Sequence, residues 1–242
     1  MEGIGAIVVL LILGVVGVVA WRIAAAPGSK QMAKRTGRLF EGSRDDPPAR
    51  QPTLEDLRPG DAVAFWDGDD EVVESVIEGR EEMSSRTTTW RWNVLSGGRV
   101  IEVAPDERVL YTSETVFRQG TLPFDALVAE PSQGGALKTF EARVREGRIA
   151  REPVSVDLNG RTWVMESTGT FLARYIGPSP KREVWRDISS TPSDNVYFEL
   201  RADDGTMGLG LWTTHIALLE GRILEDTDIH DLYPGDKPGQ PA

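Results

Sequence analysis

Residues 154–167, VSVDLNGRTWVMES, carry the pattern that decides the fold class of this chain. Apolar and polar residues alternate as far as Leu158, which is typical of a strand with one buried face. Asn159-Gly160 follows, and this dipeptide favours the tight turn that joins two antiparallel strands. Residues 162–167 then return to β-branched and aromatic side chains. The stretch predicts a β-hairpin and, with it, a β-rich protein.

Similar runs lie on both sides of this hairpin, each next to residues that favour turns. The predicted strands outside it are residues 62–66, 71–77, 87–95, 100–103, 109–112, 196–201 and 207–212. Strands this short, at hairpin spacing, are typical of meanders in small barrels or sandwiches. The sequence therefore predicts a mostly β fold.

The strands before and after residue 150 follow the same order. Val72-Val73-Glu74-Ser75 matches Val164-Met165-Glu166-Ser167, and residues 90–94 occupy the place of residues 197–200. We predict a two-fold repeat of short-stranded β meanders that form small barrel-like or sandwich units. The alternative is the general similarity of all hairpins, and the sequence leaves open whether the units form one barrel or two lobes.

The predicted first β unit spans residues 54–112, and the second spans residues 151–226. Residues 113–150 connect them, and their apolar residues fit a helical face as well as a strand. Residues 227–242 are mostly polar and rich in proline, so we predict a loose tail there.

The N-terminal part contains an uncharged apolar run, IGAIVVLLILGVVGVVAW, at residues 4–21. A helix of this length nearly spans a hydrocarbon core of ~30 Å, so residues 1–26 are predicted to be a transmembrane anchor in contact with the lipid bilayer. Trp21 and Arg22 are placed at the membrane interface. Ala24-Ala25-Ala26 leaves a cleaved signal peptide as the alternative.

Residues 27–53 form a basic, proline-rich segment, which predicts a flexible linker. Six basic side chains and one acid lie within residues 22–44. Basic residues favour the cytoplasmic side of a membrane. We therefore predict a single-pass protein of the cell inner membrane with its N-terminus outside and its C-terminal domain in the cytoplasm.

Composition excludes several classes of function. The chain has no cysteine, which rules out disulfides, thiol catalysis and thiolate metal sites. Residues 45–242 hold 21 basic and 36 acidic side chains, about −15 in formal charge. A domain this acidic is not expected to bind nucleic acid through a basic surface.

No catalytic, cofactor or metal motif is found in the sequence. The two histidines, His215 and His230, do not have zinc-site spacing, and neither a phosphate loop nor a nucleophile elbow is present. The acidic run at residues 67–71 lacks the register of a calcium loop and is interpreted as a solvated turn. No enzyme activity, cofactor or metal is therefore predicted. The alternative is an uncharacterised enzyme whose catalysis uses only carboxylates and hydroxyls.

Tryptophans are the remaining candidates for a site. Trp90 and Trp92 share one face of a strand, and Trp66 is expected on a neighbouring strand. With an acid nearby, from Glu74, Glu102 or Asp67, this face is suited to bind a cation. Core packing is the alternative role of these rings.

A second candidate lies in the long loop KREVWRDIS at residues 181–189. Trp185 and Arg182 in this loop are predicted to be exposed and to contact a partner.

Four motifs carry a resemblance to a known family: LRPGD at residues 57–61, SGGRVIEVAP at 96–105, VDLNGRTWVMESTG at 156–169 and LLEGRIL at 218–224. Over residues 54–224 the chain resembles the bacterial family called domain of unknown function 4178. The resemblance implies a shared fold but no activity and no catalytic residues, because its motifs are turn and core positions. It implies an association with membrane-stress and polyamine-synthase-like proteins in gene neighbourhoods. The chain departs from the family pattern at Val100-Ile101, where a Trp-Leu pair is common.

Two hypotheses on function follow. The first is a non-enzymatic, membrane-anchored β domain that acts as an interaction or scaffold module with a membrane-associated protein partner. The alternative is a sensor domain that binds a small cationic ligand, such as a polyamine, in an acidic, tryptophan-lined groove.

Overall fold

Strands account for most of the structure, a computed structural model that describes residues 50–82, 86–188 and 195–235. The chain divides into two compact units, residues 1–49 and residues 50–242, and only the second contains described residues. The predicted anchor, its interface residues Trp21 and Arg22, and most of the predicted linker lie outside the described residues. A search of the described residues finds no helix that is both long and apolar enough to cross a membrane.

The described residues form twelve strands, and the prediction of a mostly β fold is confirmed. The strands are β1 (Ala62–Phe65), β2 (Asp70–Glu82), β3 (Thr87–Leu95), β4 (Val100–Val103), β5 (Arg108–Phe117), β6 (Ser155–Leu158), β7 (Arg161–Thr170), β8 (Leu172–Ile176), β9 (Val196–Ala202), β10 (Met207–Trp212), β11 (Ile216–Ile223) and β12 (Ile229–Tyr233). The predicted hairpin at residues 154–167 is β6 and β7. Asn159 and Gly160 in its turn have φ values of 54° and 74°, as the primed turn requires.

One antiparallel sheet contains all twelve strands, in the order β12-β1-β2-β3-β4-β5-β11-β10-β9-β7-β6, with β8 paired to β2 off this path. Two runs of neighbouring strands, β1–β5 and β6-β7-β9-β10-β11, meet where β5 pairs with β11. β8 follows β7 after the single residue Phe171, so the chain leads from the second run back to the first.

The register of β2 and that of β7 shift at matching points. Between β2 and β3 the shift falls between Val73 and Ser75. Between β7 and β9 it falls between Met165 and Ser167. Each bulge therefore lies at the glutamate of the two four-residue segments that match in sequence.

The segment that the sequence left open is partly strand and partly helix. β5 extends to Phe117, beyond the predicted end at residue 112. Two helices follow, α1 (Leu122–Val128) and α2 (Ala136–Arg145), with a short 3-10 turn (Pro131–Gln133) between them. A third helix, α3 (Glu183–Arg186), lies in the loop after β8.

Three clusters of buried side chains hold these elements together. The central cluster joins β2–β5 and β8–β11 and contains Trp90, Trp92, Phe171 and Trp185. The helix-side cluster packs α1 and α2 against Trp163 and Phe198. The β1-side cluster packs β1 and the segment around Leu57 against β2, β4 and β5. Alternation along β11 places Ala217 and Leu219 in the central cluster and Leu218 in the helix-side cluster, so both faces of the sheet are covered.

The prediction of a loose tail from residue 227 is wrong for residues 229–233. These residues form β12, which pairs with β1. Ile229 and Leu232 pack on the β1-side cluster. The sequence does not indicate this strand, because His230 and Asp231 interrupt its apolar residues. Its pairing with a distant strand also produces no local sequence pattern.

Candidate functional site

A small pocket lies beside the paired tryptophans of β3. Its volume is about 80 Å³, and it is lined by Thr88, Trp90, Trp92, Glu102, Ala104, Tyr197, Glu199 and Leu209. We call it the acidic pocket. Its lining holds two carboxyl groups and three aromatic rings but neither lysine nor arginine.

Alternation along β3 brings Trp90 and Trp92 together as predicted. The ring centroids are 5.7 Å apart at an interplanar angle of 72°, an edge-to-face arrangement. Glu102 lies opposite Trp92 in the β3–β4 register. The predicted combination of this tryptophan pair with an acid therefore occurs with Glu102.

Glu102 is a buried acid bonded to uncharged donors. Its Oε2 accepts a hydrogen bond of 3.1 Å from Trp92 Nε1 and one of 2.9 Å from the Tyr111 hydroxyl. Burial raises the pKa of the Glu102 carboxyl to about 7, against the opposing effect of the two hydrogen bonds, and the charges of Glu199 and Glu107 raise it further. This side chain therefore changes protonation near neutral pH.

Further acids surround the acidic pocket. Ser167 Oγ donates a 2.5 Å hydrogen bond to Glu199 Oε2. The Tyr197 hydroxyl donates one of 2.9 Å to Glu81 Oε2. Desolvation raises the pKa of Glu107 as well. None of these carboxylates, nor that of Glu102, forms an ion pair with a described residue, although the charge of Arg201 acts on Glu107 and Glu199. The lining of the pocket is therefore negative when its carboxyl groups ionise.

A wider groove of about 640 Å³ shares Trp90 and Ala104 with the acidic pocket. Its charged residues are mixed: Glu55 and Glu78 occur with Arg80, Arg91 and Arg174. Arg174 donates two hydrogen bonds to Glu78. This groove is therefore not the acidic groove that the sequence predicted, and the acidic character is confined to the smaller pocket.

The other residues predicted near this site lie elsewhere. Trp66 is 65% exposed, and its ring meets His230 edge-on with centroids 4.4 Å apart. Asp67 forms an ion pair with Arg99. Glu74, at the β2 bulge, forms one with Lys181.

The prediction that Trp185 is exposed is wrong. Its side chain is fully buried in the central cluster, with its ring centroid 5.7 Å from that of Trp92. The preceding Arg182 forms an ion pair of 3.4 Å with Glu114 and donates a hydrogen bond to the Leu95 carbonyl. The prediction fails because α3 folds the loop inward over the central cluster, although charged residues flank Trp185 in the sequence.

Glu183, Asp187 and His215 form a second polar cluster, with their potential ligand atoms within 4.8 Å of one another. His215 is buried, and its Nδ1 lies 3.1 Å from Thr214 Oγ1. Arg118 lies within ion-pair distance of Glu183, and Arg186 lies within ion-pair distance of Asp187. The polar neighbours already present make this cluster a weaker candidate than the acidic pocket.

Sequence reasoning missed Glu199, Tyr197 and Tyr111 as part of the site. The sequence match between residues 197–200 and residues 90–94 indicates the role of Tyr197 and Glu199, because it gives β9 the position in the second strand run that β3 has in the first. The β2–β3 and β7–β9 registers make Trp92 and Tyr197 equivalent positions. Tyr111 gave no such indication.

Comparisons of the chain with family models, curated proteins and solved structures find no match. The resemblance to the domain of unknown function 4178 therefore stays a prediction.

Proposed function

We propose that this protein binds a small organic cation, such as the terminal ammonium of a polyamine, in the acidic pocket, and acts as a sensor of that ligand. The observation that carries the proposal is the meeting of Glu102 and Glu199 with three aromatic rings, without a basic residue in the lining. A cation is stabilised both by aromatic faces and by carboxylates when water is excluded. Such a ligand also offsets the cost of burying unpaired carboxylates.

The size of the pocket limits what enters it. Pockets that enclose drug-sized molecules measure ~300–1,000 Å³. A volume of about 80 Å³ admits an ammonium head with a short stretch of methylene groups. The rest of a linear amine would lie outside, where the lining residues Trp90 and Ala104 also border the wider groove.

Calorimetric titration of the full-length protein, purified in mild detergent, with the linear diamine putrescine tests the proposal at physiological salt. We expect saturable binding at one site and a loss of about tenfold or more in affinity for Glu199→Gln, because a hydrogen bond to a charged group contributes ~1.5–3 kcal/mol. Glu141→Gln is the matched control, since it removes the same charge from an exposed position on α2.

Two results would contradict the proposal. One is a response that only follows ionic strength and is reproduced by sodium chloride, as screening of surface charge would produce. The other is equal affinity in the Glu199→Gln protein and the wild type.

We further propose that the protein is a member of the resembled family, that its two strand runs are a structural repeat forming a barrel-like body, and that residues 4–21 anchor it in the inner membrane. The matching bulges of β2 and β7 support the repeat. The apolar run and the basic residues after it support the anchor, with the C-terminal domain in the cytoplasm. A reporter that is active only in the periplasm, fused after Ala242, is expected to stay silent; activity would reverse the proposed topology.

The interaction-module hypothesis keeps one specific observation in its favour, the exposed Trp66. Exposed tryptophans are over-represented at protein contacts. Because Trp185 is buried, Trp66 is the better residue with which to test for contact with a protein partner. Cross-linking in native membranes through a photoreactive residue at position 66 is expected to give a discrete adduct, and its absence would count against a partner at this surface.

A further inference from the structure

We infer that the acidic pocket exchanges a proton for its ligand: below neutral pH Glu102 is protonated in the empty protein, and it releases that proton to solvent when an alkylammonium enters and pairs with the carboxylate. The inference rests on the proposed function. In the exchange the O–H bond of the carboxyl group breaks, the proton passes to water or buffer, and the ammonium forms a charge-assisted hydrogen bond to the ionised group. Net charge in the pocket is therefore the same before and after binding.

The geometry around Glu102 supports a proton as the resident cation. The residue is 8% exposed, and both of its hydrogen bonds from described residues go to Oε2. Oε1 accepts none from them, so one oxygen of the carboxyl group is available to hold a proton and later to meet a ligand.

The groups that act on Glu102 come from every neighbouring element. β3 contributes the Trp92 indole N–H and β5 the Tyr111 hydroxyl, both uncharged. β9 contributes Glu199, and the turn between β4 and β5 contributes Glu107, both of which disfavour ionisation of Glu102. β10 contributes only Leu209 to the lining.

The remaining charged and titratable groups near this end of the sheet do not outweigh the effects that favour the protonated form of Glu102. Tyr197 and Glu81 are hydrogen-bonded to each other. Arg201 forms an ion pair of 2.7 Å with Glu166, and its charge also acts on Glu107 and Glu199, but it is not among the groups that act on Glu102. Burial and the charges of Glu199 and Glu107 raise the pKa of Glu102 to about 7 against the effect of the two hydrogen bonds, which agrees with a proton held until a cation replaces it.

The competing explanation is structural. In that case Glu102 only anchors Trp92 and Tyr111 by hydrogen bonds, and its protonation is independent of any ligand. The two explanations differ in one measurable quantity, the number of protons released when the ligand binds.

Calorimetry of the full-length protein with putrescine measures that number from the heats in two buffers of different ionisation enthalpy, such as phosphate and MOPS. Alkylammonium groups titrate near pH 10, so putrescine itself stays charged over this range. We expect release of about half a proton per ligand at pH 7, because a group with a pKa of about 7 is half protonated there. If only the ionised form binds, affinity should be about tenfold higher at pH 8 than at pH 6.

The Glu102→Gln variant tests whether the released proton comes from Glu102. If this variant still binds putrescine, its affinity should be the same at pH 6 and pH 8 and no proton should be released. Proton release that persists in a binding-competent Glu102→Gln protein would assign the proton to another group and overturn the inference. Glu141→Gln should retain the wild-type proton release.

The failure of this inference is distinguishable from that of the proposed function. Putrescine binding to the wild type without proton release, at equal affinity at pH 6 and pH 8, would overturn the inference and leave the binding function standing. A wild-type protein that does not bind putrescine at all would overturn both.

Discussion

Glu102 illustrates how one residue makes a β structure sensitive to pH. Its carboxyl group lies in the sheet interior, and it meets an indole, a phenol and other acids in place of an arginine or lysine. The folded protein therefore binds a proton at Glu102 more tightly than the unfolded chain does. Such a group makes stability fall as the pH rises from its unfolded pKa to its folded pKa.

Glu102→Gln is expected to be more stable than the wild type at pH 8 and nearly as stable as the wild type at pH 5. The ionised carboxylate costs nothing below the unfolded pKa of 4.5, and its cost grows until the pH passes the folded pKa of about 7. At ~1.4 kcal/mol per pKa unit the full difference is on the order of 3 kcal/mol. Urea unfolding without ligand at the two pH values measures it, with Glu141→Gln as the control. An equal effect of Glu102→Gln at both pH values would contradict the raised pKa.

Strand β10 shows at the scale of one element why a glycine-rich sequence, MGLGLW, forms a central strand. Met207, Leu209 and Leu211 face the central cluster, while Gly208 and Gly210 face the other side. A Cβ at Gly208 would lie 2.9 Å from the Trp163 ring, and one at Gly210 would lie 2.0 Å from the ring of Phe198. The glycines therefore make room for two large rings of the helix-side cluster.

Gly210→Ala is expected to destabilise the protein, because the new methyl group occupies the place of the fully buried Phe198 ring. Overpacking of this kind costs about 1–3 kcal/mol. The change in the urea midpoint measures the loss, and Ser155→Ala, at an exposed position of β6, is the control. An unchanged midpoint would mean that Phe198 moves aside without cost.

At the scale of the whole molecule, strands far apart in sequence close the structure. β5 pairs with β11, β8 pairs with β2, and β12 pairs with β1. The central cluster takes side chains from both strand runs, so the burial of its rings requires both runs together. The two predicted β units consequently unite in one sheet and are not two separate lobes.

A chain that ends after Asp228 tests the contribution of β12. We expect a lower melting temperature, because the truncation exposes the edge of β1 and removes Ile229 and Leu232 from the β1-side cluster. The Trp66 backbone keeps its hydrogen bond to the Asp228 carbonyl, so the β1–β2 turn is left intact. A chain that ends after Gly235 is the control. Equal melting temperatures of the two proteins would show that β12 adds no stability.

The local elements of this protein follow from short-range patterns in its sequence. β3, β4 and β10 begin and end where their residues predict, and Asn159-Gly160 forms its turn, because alternation and turn chemistry act over a few neighbouring residues. The shared face of Trp90 and Trp92 followed from the same alternation.

Which of these elements meet depends on packing between residues that are far apart in the chain. Trp185 is buried because α3 folds over the central cluster, and residues 229–233 are a strand because β1 offers an unpaired edge. Glu199 reaches the acidic pocket because β9 and β4 border the same interior, although Glu199 lies 97 positions after Glu102 in sequence. Long-range pairing is selected by the burial of whole sheet faces, and the periodicity of a single strand carries no information about its distant partner.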